Sequence, residues 1–223
     1  TPFALADSLE WADDVVGLDF IDDPERGVLL GIARVYSADG QFVRYSIRTQ
    51  PATDEKMRFV LLRDLLPQRD FGGRRVLIHH EGALNPANKQ ALRLWGKATQ
   101  TRFMLVEMIR RGAPRLYGLR DGQVLAAPIG SAFMLDDSQA FFVAAHDADT
   151  PTPQSVHVIA EGVDVREAMR SIRLFRLLHT QSTAAPPQPV TTFNAAELAY
   201  WLQKGGAFTE NDGGVVLPST AAS

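Results

Sequence analysis

Three arginines within six residues are the most distinctive chemical feature of this sequence. Arg110, Arg111 and Arg115 follow the apolar run 102–109, and the glycine and proline between them favour a turn. A guanidinium is a planar, permanently charged fork whose donors match the oxygens of a phosphate. Because several such groups on one turn repel one another, the pattern suits a polyanionic ligand better than it suits folding. Taken alone, the segment is also compatible with a solvated hairpin tip.

A second group of cations lies on a predicted helix that begins near Asp164. At about 100° per residue Arg166, Arg170 and Arg173 fall within roughly 60° of one another, opposite the apolar residues. The helix ends in short polar side chains, which suit contacts to a nucleic-acid backbone. The candidate contacts on and after this helix are Arg170, Arg173, His179, Thr180 and Gln181.

Carboxylates at predicted strand ends indicate a third kind of chemistry. Asp19 ends a buried strand, where a two-metal nuclease of the ribonuclease-H type holds its central carboxylate. Such a site needs two divalent ions about 4 Å apart, bridged by carboxylates from several elements. Glu81 follows another strand and Glu197 lies on a C-terminal helix. His79 and His80 are adjacent on a strand and face opposite sides, so we expect no metal to be shared between them.

Composition narrows the class of protein. The chain has 223 residues, 45% of them apolar and 22% charged, as in a globular domain. It has no cysteine, which excludes disulfides and thiolate metal sites and fits a reducing cytoplasm. We find no apolar run of the roughly 18 residues that a membrane helix needs and no signal-peptide pattern, and so expect no membrane contact.

Charge is distributed unevenly along the chain. The net charge of −3 argues against a nucleic-acid binder when taken as a sum. Residues 1–25, however, hold eight acids and no lysine or arginine, whereas 102–120 holds five arginines and one glutamate. Because polyanion binding depends on local potential, this distribution permits a basic groove on an acidic body.

The elements that position these residues predict a single α/β domain over 1–223. Two hairpin-linked strands, followed by strands that alternate with helices, indicate a mixed sheet with helices on its faces. The predicted strands are 15–20, 28–36, 42–47, 75–79, 102–109, 116–119, 132–135, 141–144 and 156–159. The predicted helices are 56–66, 85–95, 165–178 and 195–203.

Five short motifs, in this order, resemble the PIWI domain of Argonaute proteins over nearly the whole chain. They are 16–19, 78–82, 110–117, 178–180 and 189–198. The resemblance implies a ribonuclease-H-like mixed β-sheet flanked by helices. It also implies that the chain is the C-terminal part of a longer Argonaute whose MID and PAZ domains lie elsewhere in the same chain.

The catalytic positions of the family are incompletely filled. Asp19 keeps the first position, whereas Glu55 is the nearest acid to the second and falls at a helix start. Glu81, at the third, is one methylene longer than the usual aspartate, and Ala196, at the fourth, has no ligand atom. Glu197 is about 100° further round the helix. The resemblance therefore implies a catalytically inactive member with no catalytic residue and no resident metal.

The function implied by the resemblance is guided nucleic-acid binding. The inactive branch typically uses an RNA guide against foreign DNA in prokaryotic defence, in the cytoplasm. No cofactor is implied for this domain; a Mg²⁺ ion at the guide 5′ end of a full-length protein stays open. Two alternatives also stay open. One is an active Mg²⁺- or Mn²⁺-dependent guided endonuclease that uses Asp19, Glu55 and Glu81. The other is an interaction domain without a nucleic-acid role, whose arginines would point to different sides.

Overall fold

The computed structural model describes residues 4–23, 27–51, 55–147, 152–179, 187–193 and 200. The strands are β1 (Asp14–Asp23), β2 (Val28–Ser37), β3 (Phe42–Pro51), β4 (Arg75–Glu81), β5 (Arg102–Ile109), β6 (Tyr117–Arg120), β7 (Gln123–Ala126), β8 (Ala132–Met134), β9 (Gln139–His146) and β10 (Pro153–Glu161). The helices are α1 (Glu55–Leu65), α2 (Gln68–Phe71), α3 (Pro86–Thr99) and α4 (Val165–Arg176).

Eight of the strands in the described residues form one mixed sheet in the order β3-β2-β1-β4-β5-β10-β9-β8. β1, β4 and β5 are parallel neighbours, and the remaining pairs in this sheet are antiparallel. The helix α3 provides the crossover between β4 and β5, and the Asn85 side chain caps it by accepting from the Ala87 amide at 2.8 Å. β6 and β7 form a separate two-stranded ribbon.

The alternation of side chains along the central strands builds two cores. On β1, Val15 belongs to the core beneath α4, whereas Val16 belongs to the core beneath α1 and α3. On β4, Leu77 and Ile78 divide in the same way. Each of these four side chains is fully buried. The sheet therefore separates two helical layers, and each strand residue is committed to one of them.

The acidic N-terminal segment is partly neutralised where it meets β4. Asp14 accepts two hydrogen bonds from Arg74, at 2.6 and 3.1 Å. Asp13 pairs with the Arg75 side chain at 2.7 Å, and these contacts lower the pKa of the Asp13 carboxyl below its usual value. The acids that made this segment distinctive in the sequence thus help to join β1 to β4.

The structure confirms the predicted α/β fold with a mixed sheet flanked by helices. Most elements extend a few residues beyond their predicted bounds, and three differences are the clearest. β1 continues to Asp23, because its antiparallel pairing with β2 extends beyond the last β4 pair. The short elements α2 and β7 were not predicted, and α4 ends at Arg176 rather than at residue 178.

Only residue 200 of the predicted C-terminal helix 195–203 lies within the described residues. Residues 190–193 and residue 200 are helical. Within the part of the chain that the structure describes, no helix has the length and apolarity needed to cross a membrane.

Candidate nucleic-acid interface

Asp19 and Glu81 lie on the same face of the sheet, at the point where β1 and β4 stop pairing. The parallel ladder ends with Gly17 opposite His79. Because strand side chains repeat every two residues, Asp19 and Glu81, each two residues further on, share that face. Asp19 lies inside β1 rather than at its end, two residues beyond the last pair of the parallel ladder.

The Asp19 carboxyl is held in an environment that disfavours its charge. Burial raises the pKa of this carboxyl, and repulsion from Glu81 adds to the increase. The neighbouring His80 and the Phe20 amide, which donates to Asp19 Oδ1 at 2.8 Å, act in the opposite direction. Burial and Glu81 therefore disfavour the charged carboxylate, whereas His80 and the Phe20 amide favour it, and the net effect is a raised pKa of Asp19.

Glu81 is held by groups from two other parts of the chain. The Arg110 guanidinium forms an ion pair with Glu81 Oε1. The Gln188 side-chain amide lies 3.3 Å from both Glu81 oxygens. The carbonyl of Gln188 in turn accepts from His179 Nε2 at 3.1 Å. Arg110, Glu81, Gln188 and His179 thus form one connected network, which we call the Glu81 network.

His79 connects β4 to α4 and to the 187–193 segment. Its ring is fully buried, with Nδ1 2.9 Å from Thr191 Oγ1 and Nε2 2.9 Å from Ser171 Oγ. The Ser171 hydroxyl already donates to the Ala168 carbonyl at 2.7 Å. Ser171 must therefore accept from Nε2, and Nδ1 accepts from Thr191, which assigns a neutral tautomer. Burial lowers the pKa of His79 to about 3, in agreement with that tautomer.

Gly17 allows the 187–193 segment to lie directly on β1. A Cβ atom at Gly17 would stand 2.5 Å from the Thr191 carbonyl carbon and 3.1 Å from its Cα. Both of these are backbone atoms, so only a residue without a Cβ fits. The close approach places Gln188 beside Glu81 and Thr191 beside His79.

His80 faces the other layer, as predicted from its position on the strand. It is buried, and its Nδ1 donates to the Leu18 carbonyl at 2.8 Å. His79 and His80 therefore contact opposite sides of the sheet and share no ligand position. Among the described residues there is no group of three or more histidine, aspartate, glutamate or cysteine side chains placed to hold a metal ion.

The surroundings of His179 are electropositive. Burial lowers the pKa of His179, and the nearby charges of Arg176 and Arg34 lower it further, against the effect of the Gln188 carbonyl. Arg34 donates to the Tyr36 hydroxyl at 2.6 Å and lies 4.7 Å from the centre of the Phe42 ring. Two permanent cations thus stand next to the Glu81 network.

The other predicted contacts are more widely placed. Arg111 and Arg115 are exposed on the turn after β5, where Gly112 has a φ of 80°. Arg170 lies 3.5 Å from Glu167 on the exposed side of α4. The Arg173 guanidinium lies beside Gly130, 3.7 Å from where a Cβ would stand.

The structure therefore brings together only part of the predicted set. Arg110, Glu81 and His179 meet in the Glu81 network, with Asp19 on the same face. Arg170 and Arg173 both lie on α4, and within the described part of the chain neither contacts a residue of the Glu81 network. Thr180, Gln181, Ala196 and Glu197 lie outside the described residues, as does the side chain of Glu55.

Sequence reasoning missed Gln188, Arg34 and Arg176. Gln188 lies between two prolines in a connector, and nothing in its local pattern indicates a partner on β4. Arg34 did carry a signal, because it is the one charged residue in the apolar run 28–36. Arg176 continues the arginine series of α4 by three residues, although its side chain is buried.

Comparison with known proteins identifies the fold. No protein-family model matches the chain, and no curated protein is significantly similar to it. The structure of the Aquifex aeolicus Argonaute matches with a TM-score of 0.76 at 18% identity, over 93% of this chain and 31% of that one. The Clostridium butyricum Argonaute bound to a guide DNA and a 19-mer target DNA matches with a TM-score of 0.73 at 17% identity, over 90% of this chain and 28% of that one.

A third similar structure is the Marinitoga piezophila Argonaute in complex with a 5′ OH guide RNA. It has a TM-score of 0.61 at 12% identity and covers 86% of this chain and 30% of that one. The chain thus has the ribonuclease-H-like fold found in Argonaute proteins, and it spans less than a third of the length of these structures.

Proposed function

We propose that this chain is a catalytically inactive PIWI domain that holds a guide strand paired with its target. The guide is RNA and the target is foreign DNA, recognised in the cytoplasm of a prokaryote as part of its defence. The domain belongs to a longer Argonaute chain that also contains MID and PAZ domains. Base pairing reads the sequence in this scheme, while the protein holds the sugar–phosphate backbone.

One observation carries the proposal: Arg110, on the turn after β5, forms an ion pair with Glu81, the acid that the resemblance places at the family's third catalytic position. Arg110 follows β5 and reaches Glu81 at the end of β4. Catalysis with two divalent ions needs carboxylates that are free to bind them. Glu81 instead has a guanidinium and the Gln188 amide as partners, and the pKa of Asp19 is raised. This donor set fits a two-metal centre poorly.

The same observation supports binding of a polyanion. With Glu81 neutralised by Arg110, the free charge at this edge of the sheet is dominated by Arg111 and Arg115 on the exposed turn. Arg34 and the buried Arg176 add positive potential near His179. The structural similarity to Argonautes captured with guide or target strands supports the same reading.

Binding is tested by the affinity of the guide-loaded complete protein for its target at several salt concentrations. Arg111→Ala should weaken binding for every target sequence and flatten the salt slope by about one unit. Arg110→Ala should weaken binding more, because it also leaves the Glu81 carboxylate unpaired and close to the phosphates. Adding Glu81→Gln to Arg110→Ala should recover part of that loss.

The control is Arg102→Ala, since Arg102 begins the same strand at its opposite end and is also exposed. It should leave both the affinity and the salt slope unchanged. Equal effects of Arg102→Ala and Arg110→Ala, or none of either, would contradict the binding surface.

Inactivity is tested separately with a paired guide and target in Mg²⁺ or Mn²⁺. We expect no strand cleavage beyond that of a protein-free control. Metal-dependent cleavage that disappears in Asp19→Asn would refute the inactive assignment and would leave the binding surface intact.

A further inference from the structure

A second arginine-rich site lies on the opposite side of the sheet from Asp19 and Glu81. A cavity of about 450 Å³ opens beside β3, α1 and α2, and Trp95 of α3 forms part of its wall. Trp95 belongs to the core beneath α1 and α3, which places the cavity in that layer. Four arginines line this arginine cleft: Arg44, Arg48, Arg63 and Arg69.

One of these arginines is fixed before any ligand arrives. The Arg44 guanidinium donates to Asp70 Oδ2 at 2.8 Å and to Ser46 Oγ at 2.7 Å. It also lies 5.5 Å from the centre of the Phe71 ring, and only 19% of its side chain is exposed. A cation held in this way loses little conformational freedom when it binds an anion.

Arginines outnumber carboxylates among the described residues that line the arginine cleft. Asp64 is the only carboxylate among the described residues that line the cavity, and it lies 3.1 Å from Arg63 Nε. Asp70, just behind, is shared by Arg44 at 2.8 Å and Arg69 at 3.5 Å. Among the described residues, Arg44, Arg63 and Arg69 therefore share two carboxylates, and an anion in the cavity would relieve the repulsion between their guanidinium groups.

We propose that the arginine cleft binds a small ligand that carries phosphoryl groups. Guanidinium forks that approach from different elements match the several oxygens of a phosphoryl group better than they match a planar carboxylate. The cavity is within the size range of small-molecule sites, and Pro67 and Trp95 offer an apolar wall for the rest of the ligand. This site is independent of the proposed function, because the sheet lies between it and the Glu81 network.

The test is isothermal titration calorimetry of the complete protein with inorganic pyrophosphate at about physiological salt. We expect saturable binding with one site, weakened by about tenfold or more in Arg63→Gln/Arg69→Gln. The two side chains are 52% and 84% exposed, so this variant keeps the fold, and thermal unfolding verifies it. Arg102→Gln/Arg166→Gln removes the same charge from exposed positions elsewhere and should bind pyrophosphate as the wild type does.

A second arm identifies the source of the phosphoryl group. If pyrophosphate displaces a single-stranded oligonucleotide, and Arg63→Gln/Arg69→Gln weakens both ligands, the cleft takes backbone phosphates and the assignment to a small ligand is overturned. If only pyrophosphate is affected, it takes a free phosphorylated compound. Absence of saturable pyrophosphate binding by the wild type, or an equal loss in the two double variants, overturns the proposal.

Discussion

Replacing Gly17 by alanine tests whether the 187–193 segment is held against the sheet as described. The new methyl carbon would stand 2.5 Å from the Thr191 carbonyl carbon, whereas ordinary contact begins near 3.4 Å. β1 and the segment must therefore separate by at least about 0.9 Å, the difference between these distances, because the Thr191 carbonyl oxygen lies nearer still. That shift would stretch the 2.9 Å hydrogen bond between Thr191 and His79 beyond its useful range.

The expected cost has two contributions. Overpacking of a filled site costs about 1–3 kcal/mol, and loss of the buried hydrogen bond adds about 1 kcal/mol. The free energy of unfolding should therefore fall by about 2–4 kcal/mol. In urea, with a slope near 3 kcal/mol per molar, the midpoint should fall by about 1 M.

The matched control is Gly118→Ala in β6, because a Cβ there meets no atom within 4 Å. It should change the free energy of unfolding by less than about 0.5 kcal/mol. The His79 ring signals in NMR spectra should move in Gly17→Ala and stay in place in Gly118→Ala. Equal urea midpoints for wild type and Gly17→Ala would refute the close contact between Gly17 and Thr191.

Two further predictions concern pH and use urea unfolding of wild type and variant. Burial holds the folded-state pKa of Asp19 above its usual value of 3.8, so the stability that this carboxyl contributes is present below that pH and is lost as pH rises through the folded pKa. Asp19→Asn should therefore be more stable than wild type at neutral pH, with the gain disappearing below about pH 4; a constant difference would contradict this. Burial lowers the pKa of His79 from 6.5 to about 3. Between these two pH values the unfolded state binds a proton that the folded state does not, so the free energy of unfolding falls as pH drops through this range. His79→Gln should lose less stability than wild type between about pH 7 and pH 4.5, and an equal loss would show that His79 is not the titrating group.

The fold was largely predictable because its central elements carry strong local signals. β4 and β5 are continuous apolar runs, and α3 begins with Asn85 as its cap followed by a proline at a tolerated position. β7 was missed although Asp121 and Gly122 form a turn signal before it, with φ values of 51° and 76°. Three of its four residues are exposed, so it lacks the alternating burial from which half-buried strands are recognised.

The candidate site was predictable in its residue types but not in its pairings. Asp19, Glu81 and Arg110 were selected by chemistry and by their order along the chain. The ion pair between Glu81 and Arg110 depends on the register of β4 against β5, where Glu81 lies opposite Met108, and a sequence does not encode that register locally. Gln188 reaches Glu81 across 107 residues of chain, a separation over which local patterns carry no information.

Because Arg110 forms an ion pair with Glu81, any dissolved cation must compete with Arg110 for the Glu81 carboxylate. A guanidinium tethered by a short turn acts at an effective concentration in the millimolar range or above. A dissolved divalent ion would have to displace this guanidinium and would gain only the two oxygens of one carboxylate as ligands. If the proposed inactive assignment holds, building a two-metal centre here by mutation would require removal of Arg110 as well as addition of ligands, because an aspartate alone would give Arg110 another partner.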